Sequence, residues 1–212
     1  MILMRLHDIF GNAEEDIFLQ SREIYSIATK ANSILERIIS GSGALEEVRK
    51  LEKEAADEAF RISNLVTSGA VAPNLIYGMT RMLSIETDIV DAIFNLSRQL
   101  LRYRIREKHA AHYTRQQLKK MSALAERALK LLYRMHALDR IGSIRRVRSE
   151  IKVLEREGDY VKDSMLDFAY KSGTSFKTFY HIAEVAHLAD DVLDGCEDSA
   201  DIILSIMLSI VS

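Results

Sequence analysis

Length, composition and charge describe a mid-sized globular chain. It has 212 residues, 48% hydrophobic and 28% charged, with a formal net charge of −2, and this excludes a disordered polar chain. The only cysteine, Cys196, excludes an intrachain disulfide and a CxxC metal site. The start of the chain, interrupted by Arg5, His7 and Asp8, does not resemble a secretory signal. The longest apolar run, near the C-terminus, is too short to cross a bilayer. We therefore expect a cytoplasmic protein, with peripheral attachment to the inner face of the membrane left open.

In chain order, the sequence predicts six long helices. Chain breaks are expected at the Ser- and Gly-rich segments 40–43, 68–74, 141–143 and 172–175, and near His109. The patterns between the breaks are helical, because they are rich in Ala, Leu, Glu, Lys and Arg. Pro73 suits the first turn of the third helix. Thr174 and Ser175 suit the N-cap of the sixth. The fold class predicted is all-α.

Two halves of the sequence resemble each other. LEKEAAD at 51–57 matches LEREGD at 154–159, and each is followed by an apolar helical stretch and a Ser-Gly loop. TDIVD at 87–91 then matches DDVLD at 190–194, and matched positions lie close to 103 residues apart. We therefore predict one domain, residues 1–212, built from two tandem three-helix bundles of long antiparallel helices. Repeat one is predicted at about 8–106 and repeat two at about 107–212.

Charge is distributed unevenly along the chain. Residues 98–152 contain sixteen Lys and Arg against four acids, whereas the chain from Thr178 onward contains seven acids and no base. On a helix, these seven acids share one sector with His187. Like charges four residues apart repel each other, so the acidic stripe needs neutralisation. Three interpretations stay open: metal cations, the basic helices from the middle of the chain, or solvation alone.

Spacing favours a site between the fifth and sixth helices. Glu155 and Asp159 form an i,i+4 pair, and so do Asp190 and Asp194. If the two helices are antiparallel across the short loop at 172–175, the pairs lie at nearly equal heights. Four carboxylates would then converge on one cation or a small cluster. Such oxygen donors suit magnesium, calcium, manganese or iron.

The order and spacing of these segments resemble those of the PhoU-like phosphate transport regulators. The resemblance covers most of the chain, from LHDIFGN near the start through LEREGD and the Ser-Gly loop to LADDVLDGCEDSAD. It implies paired three-helix bundles that bind iron or other metals, zinc included, in multinuclear clusters. Carried over by position, the ligands would be Glu155, Asp159, Asp190 and Asp194. It also implies a non-enzymatic protein that regulates or accompanies a membrane phosphate transporter, or binds its signalling partner. Homo-oligomerisation is left open.

The first repeat departs from this pattern. Ala56 stands four residues after Glu52, and Thr87 stands at the position of a leading acid. We therefore expect metal mainly in the second repeat. A second group of candidate ligands contains His187, Asp191, Glu54, Asp57, Asp88 and Asp91.

Other functions were weighed against this one. A metal-free helical scaffold would dock its basic middle, including Arg145, Arg146 and Arg148, on anionic lipid or on a protein partner. A Mg-dependent prenyl-diphosphate enzyme would use DDVLD, but it requires a second aspartate-rich motif, and none follows Asp194. A di-iron oxidase requires two Glu-x-x-His motifs, and only residues 184–187 supply one. Nucleophile, phosphate-loop and nucleic-acid recognition motifs were not found. We expect neither catalysis nor nucleic-acid binding.

Overall fold

Six long helices make up the computed structural model, which describes residues 12–138 and 140–211. No strand occurs in these residues, and the all-α prediction is confirmed. Residues 6–11 of the opening segment LHDIFGN, where repeat one was predicted to begin, lie outside the described residues. The helices are α1 Asn12–Ser40, α2 Leu45–Leu65, α3 Pro73–Arg102, α4 Lys108–Met135, α5 Ile141–Lys171 and α6 Phe176–Val211.

Three predicted breaks coincide with helix ends. Gly41 and Gly173 have φ of 94° and 63°, a left-handed conformation that glycine adopts without steric cost after a helix. The helical path is broken within Val66–Ala70, where Gly69 has φ of 91°, and Pro73 is the first residue of α3. Ser175 caps α6, since its Oγ accepts the Thr178 N–H at 3.3 Å. Local turn chemistry thus sets these boundaries.

Two predicted breaks are displaced from the observed ones. α3 ends at Arg102, and α4 begins at Lys108, so His109 lies in the first turn of α4. α4 ends at Met135 in a tight turn, in which the Leu138 N–H donates to the Met135 carbonyl at 3.1 Å. Segment 141–143 therefore opens α5. Glycine at a helix start costs little, and a Cβ on Gly142 would meet no atom within 4 Å.

The helices pack as a central group of four with one further helix on each side. α1, α3, α4 and α6 form the centre; α2 packs on α1 and α3, whereas α5 packs on α4 and α6. This arrangement is the one that two three-helix units sharing a core would produce. The division into repeats at 8–106 and 107–212 stays a prediction.

Glycines permit α6 to approach its neighbours closely. A Cβ on Gly158 of α5 would lie 2.3 Å from Leu193 Cδ1, and one on Gly195 would lie 2.7 Å from Ile89 Cγ1 of α3. The backbone of α6 is therefore held near both α5 and α3, which places its acids within reach of side chains on either helix. No helix of the described chain combines the length and apolarity that a membrane span requires.

Candidate functional site: the carboxylates of α5 and α6

The structure brings Asp159 and Asp190 together across the α5–α6 interface. The ammonium of Lys162, one turn after Asp159 on α5, donates hydrogen bonds to both carboxylates. Asp190 is only 5% exposed. Its Oδ2 accepts from Lys162, while its Oδ1 is buried without a hydrogen-bond partner among the described residues. A cation therefore does lie between the two helices, and it is a lysine.

Glu155 and Asp194, the other two predicted ligands, remain without a cation. No ion pair reaches either of them in the described part of the chain. Burial, together with the neighbouring Glu197, raises the pKa of Glu155. Burial, followed by the charge of Asp190, raises the pKa of Asp194 to about 6. In contrast, the hydrogen bond from Lys162 lowers the pKa of Asp159. The four carboxylates share one electrostatic environment, but the ammonium of Lys162 pairs only with Asp159 and Asp190.

Further along α6, bases of α5 neutralise the acidic stripe. The Arg148 guanidinium pairs with Asp201, with Nη2 2.9 Å from Oδ2, and lies 3.6 Å from Glu197. Lys152 also donates to Glu197. Of the three interpretations that the sequence left open, neutralisation by the basic middle of the chain accounts for this side of α6.

The remaining acids of α6 face α3 and line an open groove of about 340 Å³. The lining matches by position across the two halves of the chain, because five lining positions of α3 have counterparts 103 positions later on α6. On α3 they are Ile85, Asp88, Asp91, Ala92 and Asn95, and on α6 they are Leu188, Asp191, Asp194, Gly195 and Asp198. Arg81 is the one cation among the described lining residues. Burial and the charges of Glu52 and Asp88 raise the pKa of Asp91.

Among the second group of candidate ligands, Asp88, Asp91 and Asp191 thus meet in this groove. Glu54 and Asp57 lie elsewhere, in a groove that Glu23 of α1 and Lys50, Lys53 and Arg61 of α2 also line. His187 is exposed and lines neither groove. The structure therefore separates this second group of candidate ligands: three line one groove, two line another, and His187 lines neither.

As arranged, these residues do not suit a metal ion. No group of three or more His, Cys, Asp or Glu side chains in the described residues is placed to hold one. The physical reason lies at Asp159 and Asp190, where the Lys162 ammonium already occupies the space between the carboxylates. Metal binding stays a prediction from the sequence.

A buried polar cluster in the core was not predicted from the sequence. Glu86 of α3 and His136, just after α4, are both fully buried, with Oε1 and Nε2 3.6 Å apart. The Ser21 hydroxyl lies 3.1 Å from the same Nε2. Burial raises the pKa of Glu86 and lowers that of His136 to about 4, so it favours the uncharged form of both side chains. The available signal was the position of Glu86, at helical spacing from Met82 and Ile89 on the apolar face of α3.

Two crystal structures from Shewanella oneidensis MR-1 share the fold of this chain. The first is described as a PhoU-like phosphate regulatory protein; it has a TM-score of 0.58 and 13% identity, over 93% of this chain and 98% of its own. The second is described as PhoU-like; it has a TM-score of 0.51 and 15% identity, over 91% and 99%. No family model matches the chain, and no curated protein matches its sequence. The structural likeness confirms that the chain has the fold of PhoU-like proteins, as the sequence resemblance implied.

Proposed function

We propose that this chain is a non-enzymatic regulator of phosphate transport, which acts by binding a membrane phosphate transporter or its signalling partner. The observation that carries the proposal is the shared fold, which extends over nearly the whole length of this chain and of both PhoU-like proteins. One of these proteins is described as phosphate regulatory. The expected place of action, the cytoplasmic side of the membrane, rests on the same resemblance.

The surface proposed for the partner is the acidic groove between α3 and α6. Its five aspartates face a single described cation, Arg81. Burial raises the pKa values of Asp91 and Asp194, and the charges of neighbouring acids raise them further. A surface of one sign favours a partner of the other sign. Cytoplasmic loops of membrane proteins carry an excess of Lys and Arg, so a basic loop of the transporter suits this groove.

Association with a phosphate permease reconstituted in nanodiscs tests the proposal. Neutralising two groove residues, Asp88→Asn with Asp191→Asn, is expected to weaken binding about tenfold by removing charge that attracts the basic loop. The matched control is Glu36→Gln with Glu150→Gln, two exposed acids outside the groove, which should leave affinity within about twofold. Equal losses in both variants would exclude the groove. No association of the unmodified chain with any permease or its signalling partner would contradict the proposed function.

A further inference from the structure

A second groove lies at the end of the bundle where α1 and α3 end and α4 begins. It has a volume of about 830 Å³, and four cations line it: Arg104, Arg106, Lys108 and Arg115. No acidic residue in the described part of the chain lines it, and none of the four cations takes part in an ion pair there. The carboxyl-terminal ends of α1 and α3 contribute about half a negative charge each. Four full positive charges outweigh them, so the groove is strongly positive.

The walls of this groove are apolar, and its floor contains polar groups without partners. Ile38, Ile39, Leu100 and Leu118 supply apolar surface, and other apolar residues extend it. Thr114 and His181 also line the groove and are 3% and 4% exposed. Thr114 Oγ1 and His181 Nδ1 have no hydrogen-bond partner among the described residues. The Tyr103 and His181 rings pack edge to face, with their centroids 5.0 Å apart. Unused hydrogen-bonding groups beneath a positive surface suit an anion.

Exposed aromatic rings surround the same end of the molecule. Tyr170, at the end of α5, is 75% exposed, and Phe176 and Tyr180, at the start of α6, are 79% and 57% exposed. Phe179 lies between them, with its ring centroid 5.0 Å from that of Tyr170 and 6.5 Å from that of Phe176. Large exposed rings that contact one another form an apolar patch, and such patches mark interaction surfaces.

The aromatic patch and the positive groove are joined by specific contacts. Glu107, in the segment between α3 and α4, accepts hydrogen bonds from the Ser175 N–H at 3.1 Å and from Thr178 Oγ1 at 2.8 Å. Tyr103 Oη is 3.2 Å from the same Thr178 hydroxyl. These bonds fix the start of α6 beside the groove. They also engage Glu107, the acid nearest in sequence to the four cations.

We propose that this end of the bundle binds the anionic surface of a phospholipid bilayer, with a lipid phosphate in the positive groove and the aromatic rings at the interface. Lys and Arg side chains are attracted to an anionic leaflet. Tyr and Phe rings partition favourably to the boundary between headgroups and acyl chains. A soluble phosphate alone would leave the exposed rings without a role. The cations that the sequence offered for lipid docking included Arg148, but that guanidinium already pairs with Asp201. The cations proposed here to contact lipid lie instead in the 103–115 region.

Flotation of the purified chain with vesicles tests this proposal without a transporter, so its failure leaves the proposed function untouched. The chain is expected to bind phosphatidylcholine vesicles that contain phosphatidylglycerol, and to bind pure phosphatidylcholine at least tenfold more weakly. Raising the salt concentration should release it. Each cation near an anionic surface is worth roughly fivefold in affinity. The triple variant of Arg104, Arg106 and Arg115 to Ala should therefore lose roughly 100-fold.

Matched variants separate the surface from general effects. Replacing Lys119, Arg127 and Arg134 by Ala removes three exposed cations of α4 outside the groove, and should cost less than about fivefold. Phe176→Ser with Tyr180→Ser should weaken binding about tenfold. Phe60→Ser with Tyr77→Ser, equally exposed positions on α2 and α3, should not. All these side chains are exposed, and circular dichroism checks that each variant is folded.

Three outcomes would overturn the proposal. The first is equal affinity for vesicles with and without phosphatidylglycerol. The second is an equal loss in the groove variant and in its α4 control. The third is binding of a fluorescent ATP analogue in the groove without any vesicle association, because the groove would then serve a soluble phosphate ester.

Discussion

The two acidic sides of α6 differ in how they are neutralised. At about 100° per residue, six of its seven acids follow one another around the helix in the order Glu197, Asp190, Asp201, Asp194, Asp198, Asp191. The first three face α5 and are paired with Lys152, Lys162 and Arg148. The last three face α3, where Asp88 and Asp91 occupy two of the three matching positions, and they line the groove. One continuous stripe in the sequence therefore becomes an internal ionic interface on one side and an unrelieved negative surface on the other.

Removal of the cation between α5 and α6 should have the largest effect on stability. Lys162→Ala leaves the buried Asp190 carboxylate without its partner and close to Asp159. Loss of one member of a buried pair costs several kcal/mol, so the free energy of unfolding should fall by about 2 to 4 kcal/mol in urea at pH 7. The control is Lys171→Ala, an i,i+4 pair that is exposed, expected to cost less than about 1 kcal/mol. Similar costs for both variants would refute an internal role for Lys162.

The close approach of α5 and α6 is tested next. Gly158→Ala places a methyl group 2.3 Å from Leu193 Cδ1, so the helices must move apart or Leu193 must change rotamer. Overpacking of this kind costs about 1 to 3 kcal/mol. Gly142→Ala, on the same helix with no atom within 4 Å, should be neutral or stabilising by up to about 1 kcal/mol. Thermal unfolding of both variants measures the difference, and a neutral Gly158→Ala would contradict the packing.

A smaller effect is expected from the outer pairs on the α5 side. Arg148→Ala removes the contacts to Asp201 and Glu197 at a partly exposed site. A loss of about 1 kcal/mol or less is expected, and it should shrink as salt is raised. Urea unfolding at two salt concentrations measures it. If Arg148→Ala cost as much stability as Lys162→Ala, or if its cost did not depend on salt, the Arg148 pairs would not be the weak, screened pairs expected at a partly exposed site.

Neutralising an acid on the α3 side should have the smallest effect on the free energy of unfolding, and it should stabilise the protein. The pKa of Asp194 is raised from 3.8 to about 6, so the folded protein holds this proton more tightly than the unfolded chain. The associated stability is complete below pH 3.8 and is lost as the pH rises through about 6. Asp194→Asn should therefore stabilise the protein by up to about 1 kcal/mol at pH 7.5 and have little effect near pH 4. Thermal unfolding at both values tests this, and destabilisation at pH 7.5 would contradict it.

The helices themselves could be predicted because local chemistry sets their ends. Gly41, Gly173, Pro73 and Ser175 each determine a boundary through backbone conformation or capping. The boundaries near His109 and at 141–143 were misplaced, since Tyr103–Glu107 and 136–140 contain no turn signal of comparable strength. The adjacency of α5 and α6 also followed from the short loop between them.

The identity of the neutralising cation could not be predicted in the same way. Lys162 lies three residues after Asp159, and its side chain could reach solvent, its own helix or α6. Which one it reaches depends on how far the two helices are rotated and shifted, and this depends on contacts such as Gly158 with Leu193. Glu86 and His136 are 50 residues apart, and no local pattern links them. Tertiary packing sets contacts of this kind, and charge counts along a sequence contain no information about that packing.

Basic side chains of α5, led by Lys162, neutralise the acids of α6 that face them. The most direct measurement is the melting temperature of the purified protein as isolated, after dialysis against EDTA, and after addition of manganese or ferrous iron. The account predicts one melting temperature within about 1 °C in all three states. Lys162→Ala should melt roughly 5 to 15 °C lower, at about 2 to 4 °C per kcal/mol. A melting temperature that falls by several degrees in EDTA and recovers with metal would contradict the account, because an ion would then be the cation that holds α5 to α6.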